Sequence, residues 1–340
     1  MDAVPGIGLL GNVGIPAREL VELGREIEDA GYSGVWIIEY EYDSIALAQA
    51  VAQATRRVMT GTCITRAFTR HPVSLATTAA VVDRLAPGRF TIGLGSGALE
   101  SADPRLSMQR WDVPWDRSAA RMKEYVEVLR RAMDGETLGY DGEFYDLNHV
   151  ALELLPEERV PIFVAGGGKR MMDIAGALCD GVFMHMVDAA GTKATAERVA
   201  AAAQQHGRHP GALEVSQLIM TCVDEDRETA VGAMKHWLVE YYLSMKVYQD
   251  ILAHNGWADE AKAILDAYMA DDKEAAKAAV PDGLVERFTI TGTPAECREK
   301  LSEMVSWGTT LPILYAFPSR GDWRDGYRRS IAAFAPGAAA

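Results

Sequence analysis

The sequence predicts an α/β fold, a (β/α)8 TIM barrel with a helical insertion between strands seven and eight. Three observations carry this. Short apolar runs alternate with stretches of helical periodicity over most of the 340 residues. The runs are continuously apolar, as parallel strands buried on both faces are. Eight of them are found, and barrels of this length form single domains.

The elements follow in order. "GIGLL" (6–10) is the first strand. Pro16 opens a helix with Leu20, Leu23 and Ile27 at helical spacing, and Gly31 closes it. "GVWIIE" (34–39) is the second strand, a helix covers 43–55, and "VMTGTCIT" (58–65) is the third strand. Pro72 opens the helix "PVSLATTAAVVDRLA", and "RFTIGLGSG" (89–97) is the fourth strand. Residues 98–116 read as a loop with Trp111 and Trp115, and 117–133 as a helix. "TLGYDGEFYDL" (137–147) reads as a hairpin turning on Asp141-Gly142. Strand 161–166, helix 169–178, strand 180–185 and helix 192–205 resume the repeat. The seventh strand lies in 213–223, the eighth is "LPILYAF" (311–317), and a helix near 323–334 follows.

The insertion, about 224–310, reads as helical and is rich in Ala, Lys, Asp and Glu. Its stretch "HWLVEYYLSMKVYQDIL" suits a cover for the barrel wall, a lid or a subunit interface. No linker sets it apart, so 1–340 is expected to be one domain. A Rossmann-like sheet is the alternative. It requires Gly-x-Gly-x-x-Gly after the first strand, and "GLLGNVG" spaces its glycines differently.

Composition narrows the function. A net charge of −14 disfavours nucleic acid as a partner, while a small anionic ligand remains compatible with local backbone amides. No apolar run suits a membrane helix, and the N-terminus does not resemble a signal peptide. Cys63, Cys179, Cys222 and Cys297 are scattered, without Cys-x-x-Cys, which points to a reducing cytoplasm and away from zinc. His206 and His209 sit in a Gly/Pro-rich loop and read as solvated, not as metal ligands.

Barrel active sites form at the C-terminal strand ends. That rule selects Asn12, Glu39-Tyr40-Glu41, Cys63-Ile64-Thr65, Gly95-Ser96-Gly97, Ala165-Gly166-Gly167-Gly168-Lys169 and His185. His71, just before Pro72, is either a ligand contact or a helix-start residue. The corner "FVAGGGKRMMDIAG" is either a phosphate cradle or a tight turn without ligand. Its spacing is not that of a P-loop. With "GLGSG" it suggests one extended ligand with a planar and an anionic part, bound beside a small-molecule substrate. Glu39 and Tyr40 are the candidates for acid–base or hydrogen-bonding chemistry.

The block "ATRRVMTGTCITRAFTRHPVSLATTAAVVDRLAPGRFTIGLGSG" (54–97) resembles the signature region of the bacterial luciferase-like superfamily. It is nearest to the coenzyme F420-dependent branch that includes methylenetetrahydromethanopterin reductase. "AGYSGVWIIE" and "VPIFVAGGGKRMMDIAGALCDGVFMH" resemble further family segments. The resemblance implies F420, or alternatively FMN, at the C-terminal face. It implies a non-proline cis peptide at Cys63–Ile64 behind the ring, a loop over the cofactor from Thr65 to His71, and phosphate held by Gly166 to Lys169. A homodimer is the family expectation. Two departures stand out. Glu39-Tyr40 replaces the acid–His pair common in the family, and Ala98 replaces the glutamate of sugar-phosphate dehydrogenases, which argues against glucose-6-phosphate. The reading is an F420-dependent oxidoreductase. An FMN-dependent monooxygenase is the alternative, a non-catalytic flavin-binding protein a third, and a metal-dependent hydrolase is disfavoured by the absence of a His/acid cluster.

Overall fold

A computed structural model describes residues 3–11, 13–97, 101–102, 112–113 and 116–336. Asn12, Ala98, Trp111 and Trp115 lie outside the described residues. In chain order the first elements are β1 (Gly6–Leu10), α1 (Ala17–Asp29), β2 (Gly34–Ile38), α2 (Ser44–Ala54), β3 (Met59–Thr62), β4 (Thr65–Arg66), α3 (Pro72–Leu85) and β5 (Phe90–Gly95). Then come α4 (Ser118–Met133), the hairpin β6 (Leu138–Asp141) and β7 (Asp146–Val150), β8 (Ile162–Ala165), α5 (Lys169–Leu178), β9 (Gly181–His185), α6 (Ala189–Gln205) and β10 (Glu214–Val223). Five helices follow: α7 (Arg227–Tyr241), α8 (Lys246–His254), α9 (Ala258–Met269), α10 (Lys273–Ala278) and α11 (Asp282–Phe288). β11 (Ile290–Gly292), α12 (Pro294–Ser306), β12 (Leu311–Ala316) and α13 (Trp323–Phe334) complete the order.

The sheet runs β12–β1–β2–β3–β5–β8–β9–β10, and this is the eight-stranded parallel barrel the sequence predicts. The chain divides into two compact units. The first spans 1–96, 115–218 and 304–313; the second spans 97–114, 219–303 and 314–340.

In the first unit, Trp36 of β2 packs on Phe163 of β8 and Phe183 of β9, with ring centroids 6.2 and 5.6 Å away. Each such pair adds about 0.5–1.5 kcal/mol beyond the area it buries. The indole needs room on β3: a Cβ at Gly61 would lie 2.6 Å from the Trp36 ring. Glu28, at the end of α1, sets the approach to β3. Its buried carboxylate accepts from the amides of Arg56, Arg57 and Val58 at 2.6–3.1 Å. Burial raises its pKa, and these three amides outweigh burial and hold it below the usual value.

In the second unit, Trp237 of α7 lies among Phe317, Trp323 and Tyr241, with centroids 5.2–5.9 Å away. The insertion is not wholly helical. β11 pairs in parallel with the end of β10, Thr221 opposite Ile290. Three residues are too few to show a period, so a strand this short does not stand out. The hairpin also differs from expectation. Residues 142–145 join its strands and Gly142 N–H donates to the Tyr145 carbonyl, so Asp141-Gly142 is not a two-residue turn. Glu124 explains this by accepting from the amides of Glu143, Phe144 and Tyr145, which opens the turn toward α4. No helix among the described residues is long and apolar enough to cross a membrane.

Candidate functional site

The third strand does not run unbroken over 58–65. β3 pairs with β5 at Thr60–Phe90 and Gly61–Thr91, and β4 pairs with it at Thr65–Leu94 and Arg66–Gly95. Gly61 to Thr65 is four steps, whereas Thr91 to Leu94 is three, so one extra residue forms a bulge. Thr62 bridges the gap. Its hydroxyl accepts from Gly93 N–H and donates to the Gly93 carbonyl, both at 2.9 Å. Gly93 has to be glycine, because a Cβ there would lie 2.0 Å from the Thr62 carbonyl oxygen. The peptide bond Cys63–Ile64 is cis, as the family resemblance implies. Cys63 N–H still reaches the Ile37 carbonyl of β2 at 2.8 Å. Ile64 lies over Gly95, where a Cβ would meet its side chain at 2.7 Å. The Cys63 thiol is buried, and burial pushes its pKa far up, so it is not a thiolate nucleophile.

Thr65 to His71 is not a plain loop. Thr65 and Arg66 form β4, and Ala67–Thr69 form a 3-10 turn. The reason is a polar knot beneath them. Glu39, its side chain only 7% exposed, accepts from Ser44 Oγ at 2.6 Å and Thr65 Oγ1 at 2.9 Å. The Arg70 guanidinium meets the same carboxylate at 3.2 Å and Asp43 at 2.6 Å, and donates to Thr65 Oγ1 at 2.8 Å. Burial lowers the Arg70 pKa, and the Glu39 and Asp43 charges more than reverse that, so the guanidinium stays charged. Asp43 also caps α2 through the amides of Ile45 and Ala46. The acid–base expectation for Glu39 therefore meets a carboxylate with both oxygens engaged. Tyr40 follows directly, and its carbonyl accepts from Arg66 Nη2 at 3.0 Å.

The other candidates share this rim, because β2, β3, β5, β8 and β9 are consecutive neighbours in the sheet. Gly95 ends β5, and Ser96 and Gly97 lie just beyond it. Ala165 ends β8, and Gly166 turns the chain with φ 140°. At Gly167 and Gly168 an added Cβ would meet nothing within 4 Å, so the chain in front of α5 is open. Lys169 is turned along its own helix and pairs with Asp173 at 2.7 Å. His185 ends β9, its Nδ1 2.8 Å from the Leu218 carbonyl. Burial pushes its pKa down to about 4 against the opposing pull of that carbonyl, so the imidazole is neutral at pH 7. His71 is the helix-start residue of the two readings. It caps α3, its Nδ1 accepting from Val73 N–H at 3.3 Å. No group of three His, Cys, Asp or Glu side chains that could hold a metal occurs among the described residues.

Two features lie outside the residues that strand position selects. Arg70 is one, although an arginine that close to a strand end is a signal for a carboxylate partner. The second is the aromatic wall in which Tyr125 of α4 faces Phe68 and Tyr145 at 6.4 and 6.0 Å. Its residues come from three separate segments, and no local pattern joins them.

The model of the luciferase-like monooxygenase family matches residues 4–311. The 5,10-methylenetetrahydromethanopterin reductase of Archaeoglobus fulgidus is 24% identical over 293 residues, covering 84% of this chain and 86% of that protein. Two solved structures share the fold. The coenzyme F420-dependent tetrahydromethanopterin reductase of Methanopyrus kandleri has a TM-score of 0.80 at 20% identity, covering 98% of both chains. An F420-dependent secondary alcohol dehydrogenase in complex with an F420–acetone adduct has a TM-score of 0.78 at 22% identity, covering 99% of both. A family match over most of its length, on a barrel whose third strand bulges beside an open glycine corner, places this chain in the luciferase-like monooxygenase family of oxidoreductases.

Proposed function

We propose that the protein is an F420-dependent oxidoreductase moving hydride to or from a small organic substrate. One observation carries the reading: the open glycine corner between β8 and α5, on the same rim as the β3–β4 bulge. Phosphate fits that corner. Backbone there can approach an anion closely, and the start of α5 adds a positive dipole end. A flat ring fits beside it, with Ile64 and Gly95 as its backing. Bound there, the deazaflavin would supply hydride chemistry. The relatives named for F420 support it over FMN, and the family's monooxygenase description supports FMN as the second reading.

The chain's own residues have separable roles. Glu39 holds Thr65 and Arg70 and so fixes the bulge. Tyr40, beyond the strand end, faces substrate. His185 remains a neutral hydrogen-bonding group. The pair most suited to a homodimer contact is α2 and α3. α2 carries no charged residue, and the exposed positions of α3 include Val81 and Leu85. Analytical ultracentrifugation tests the dimer.

Titration of the purified protein with F420 and with FMN tests the cofactor. Saturable F420 binding followed by reduction or oxidation with a panel of alcohols, carbonyls and imines is the expected result. FMN binding without F420 binding would move the reading to a monooxygenase. Binding without any turnover would favour a non-catalytic protein.

A further inference from the structure

A second site lies wholly in the second unit. A cavity of about 420 Å³ opens between α7, α10 and the turn after β12. None of its ten lining residues is acidic, in a chain whose net charge is −14. His236 of α7, Lys277 of α10 and Arg320 after β12 all line it. Arg320 is held by Asp224, with Nε and Nη2 each 2.8 Å from a carboxylate oxygen, and Asp226 lies 3.9 Å away. Its guanidinium is thus fixed in place and largely neutralised. Lys277 makes no ion pair among the described residues, so it gives the cavity its unbalanced positive charge, and His236 adds a polar ring 4.8 Å from that of Trp237.

The wall is aromatic. Trp237 lines the cavity and is immobilised, its Nε1 donating to the Pro318 carbonyl at 2.8 Å and its ring packed at a tilt against Phe317 and Trp323. Gly232, inside α7, is also part of the lining. An added Cβ there would meet nothing within 4 Å. Glycine weakens a helix interior, and at this position it leaves the lining without a side chain.

We propose that this cavity binds a small aromatic anion, its carboxylate or phosphate on Lys277 and its ring against Trp237 beside His236. The unpaired Lys277 ammonium gives the charge selection, and an immobile aromatic face gives apolar contact at little entropic cost. The site shares no residue with the glycine corner or the β3–β4 bulge, so its test can fail while the cofactor reading stands.

Isothermal titration of the full chain with benzoate and with phenyl phosphate, and with inorganic phosphate as a third arm, tests it. Saturable one-to-one binding of an aromatic anion is expected, weakened about tenfold or more by Lys277→Glu. Gly232→Leu should abolish it by filling the cavity, and as a helix-favouring change it should leave the fold intact, checked by circular dichroism. Gly232→Ala should weaken it less. No saturation by either aromatic anion at about 10 mM, in the range where binding is weaker than about 3 kcal/mol, would overturn the proposal. So would binding that Gly232→Leu leaves unchanged, or inorganic phosphate binding as tightly as phenyl phosphate.

Discussion

The hydroxyl of Thr62 should be worth more than any other single atom of the β3–β4 corner. Thr62 is fully buried, and its Oγ1 satisfies both backbone groups of Gly93 where the β3–β5 ladder is interrupted. Thr62→Val keeps the shape and removes the oxygen, leaving an amide and a carbonyl buried without partners. Each costs about 1–3 kcal/mol, the carbonyl toward the lower end, so the change should destabilise by about 2–4 kcal/mol. Thr62→Ser keeps the oxygen and removes one methyl, which should cost about 1 kcal/mol. Urea unfolding followed by tryptophan fluorescence measures both, and the order Val worse than Ser is the discriminating result. Thr62→Val at parental stability, or Ser as damaging as Val, would refute the bridging role. If the bulge also backs the ring, Thr62→Val should weaken F420 or FMN binding, whichever the protein takes, more than Thr62→Ser does.

Further outcomes follow from the same geometry. Arg70→Met should lower kcat/KM about 10–100-fold by releasing Thr65, and Arg70→Lys should recover only part of it because a single ammonium cannot span Glu39, Asp43 and Thr65; steady-state kinetics and cofactor titration separate the two variants. Glu28→Gln should destabilise by about 1–3 kcal/mol and leave cofactor affinity unchanged, since it acts at the entry to β3. The folded Glu28 pKa is depressed, so its contribution is present above the unfolded value and is lost as pH falls through the folded one. The parent should therefore lose stability over that acid window, and Glu28→Gln should show a shallower loss in urea midpoints taken across pH. His185 shifts from 6.5 to about 4, so its neutral form contributes up to about 3 kcal/mol above pH 6.5, a contribution lost as pH falls toward 4. Imidazole nitrogen chemical shifts that report a charged His185 at pH 6 would refute this.

The barrel was legible because its signal is local and redundant. A run such as "GVWII" is apolar on both faces, and burial of nearly every residue in β1, β2 and β5 agrees with it. The rim positions were legible for the same reason, since the parallel order puts every strand end on one side. What the third strand does at Thr62 was not readable from composition or period. The break depends on Gly93, thirty-one residues away, and on a hydroxyl replacing two ladder bonds. Only the resemblance of the surrounding block pointed to that corner.

Glu39 shows the same limit in sharper form. An acid at a barrel-strand end invites a proton-transfer role, and nothing in "IIEYEYD" argues otherwise. The carboxylate's partners are Thr65 and Arg70, twenty-six and thirty-one residues further on, and they decide its chemistry. A carboxylate that accepts from a guanidinium and two hydroxyls has its lone pairs engaged within the fold. Residue type and strand position thus locate the group, but the donors around it assign the role. If Glu39 works by holding Arg70 and Thr65, Glu39→Gln and Arg70→Met should not add. The double variant should lose about as much kcat/KM as the worse single variant, whereas two independent roles would multiply. A double variant whose loss equals the product of the two would return Glu39 to the chemistry itself.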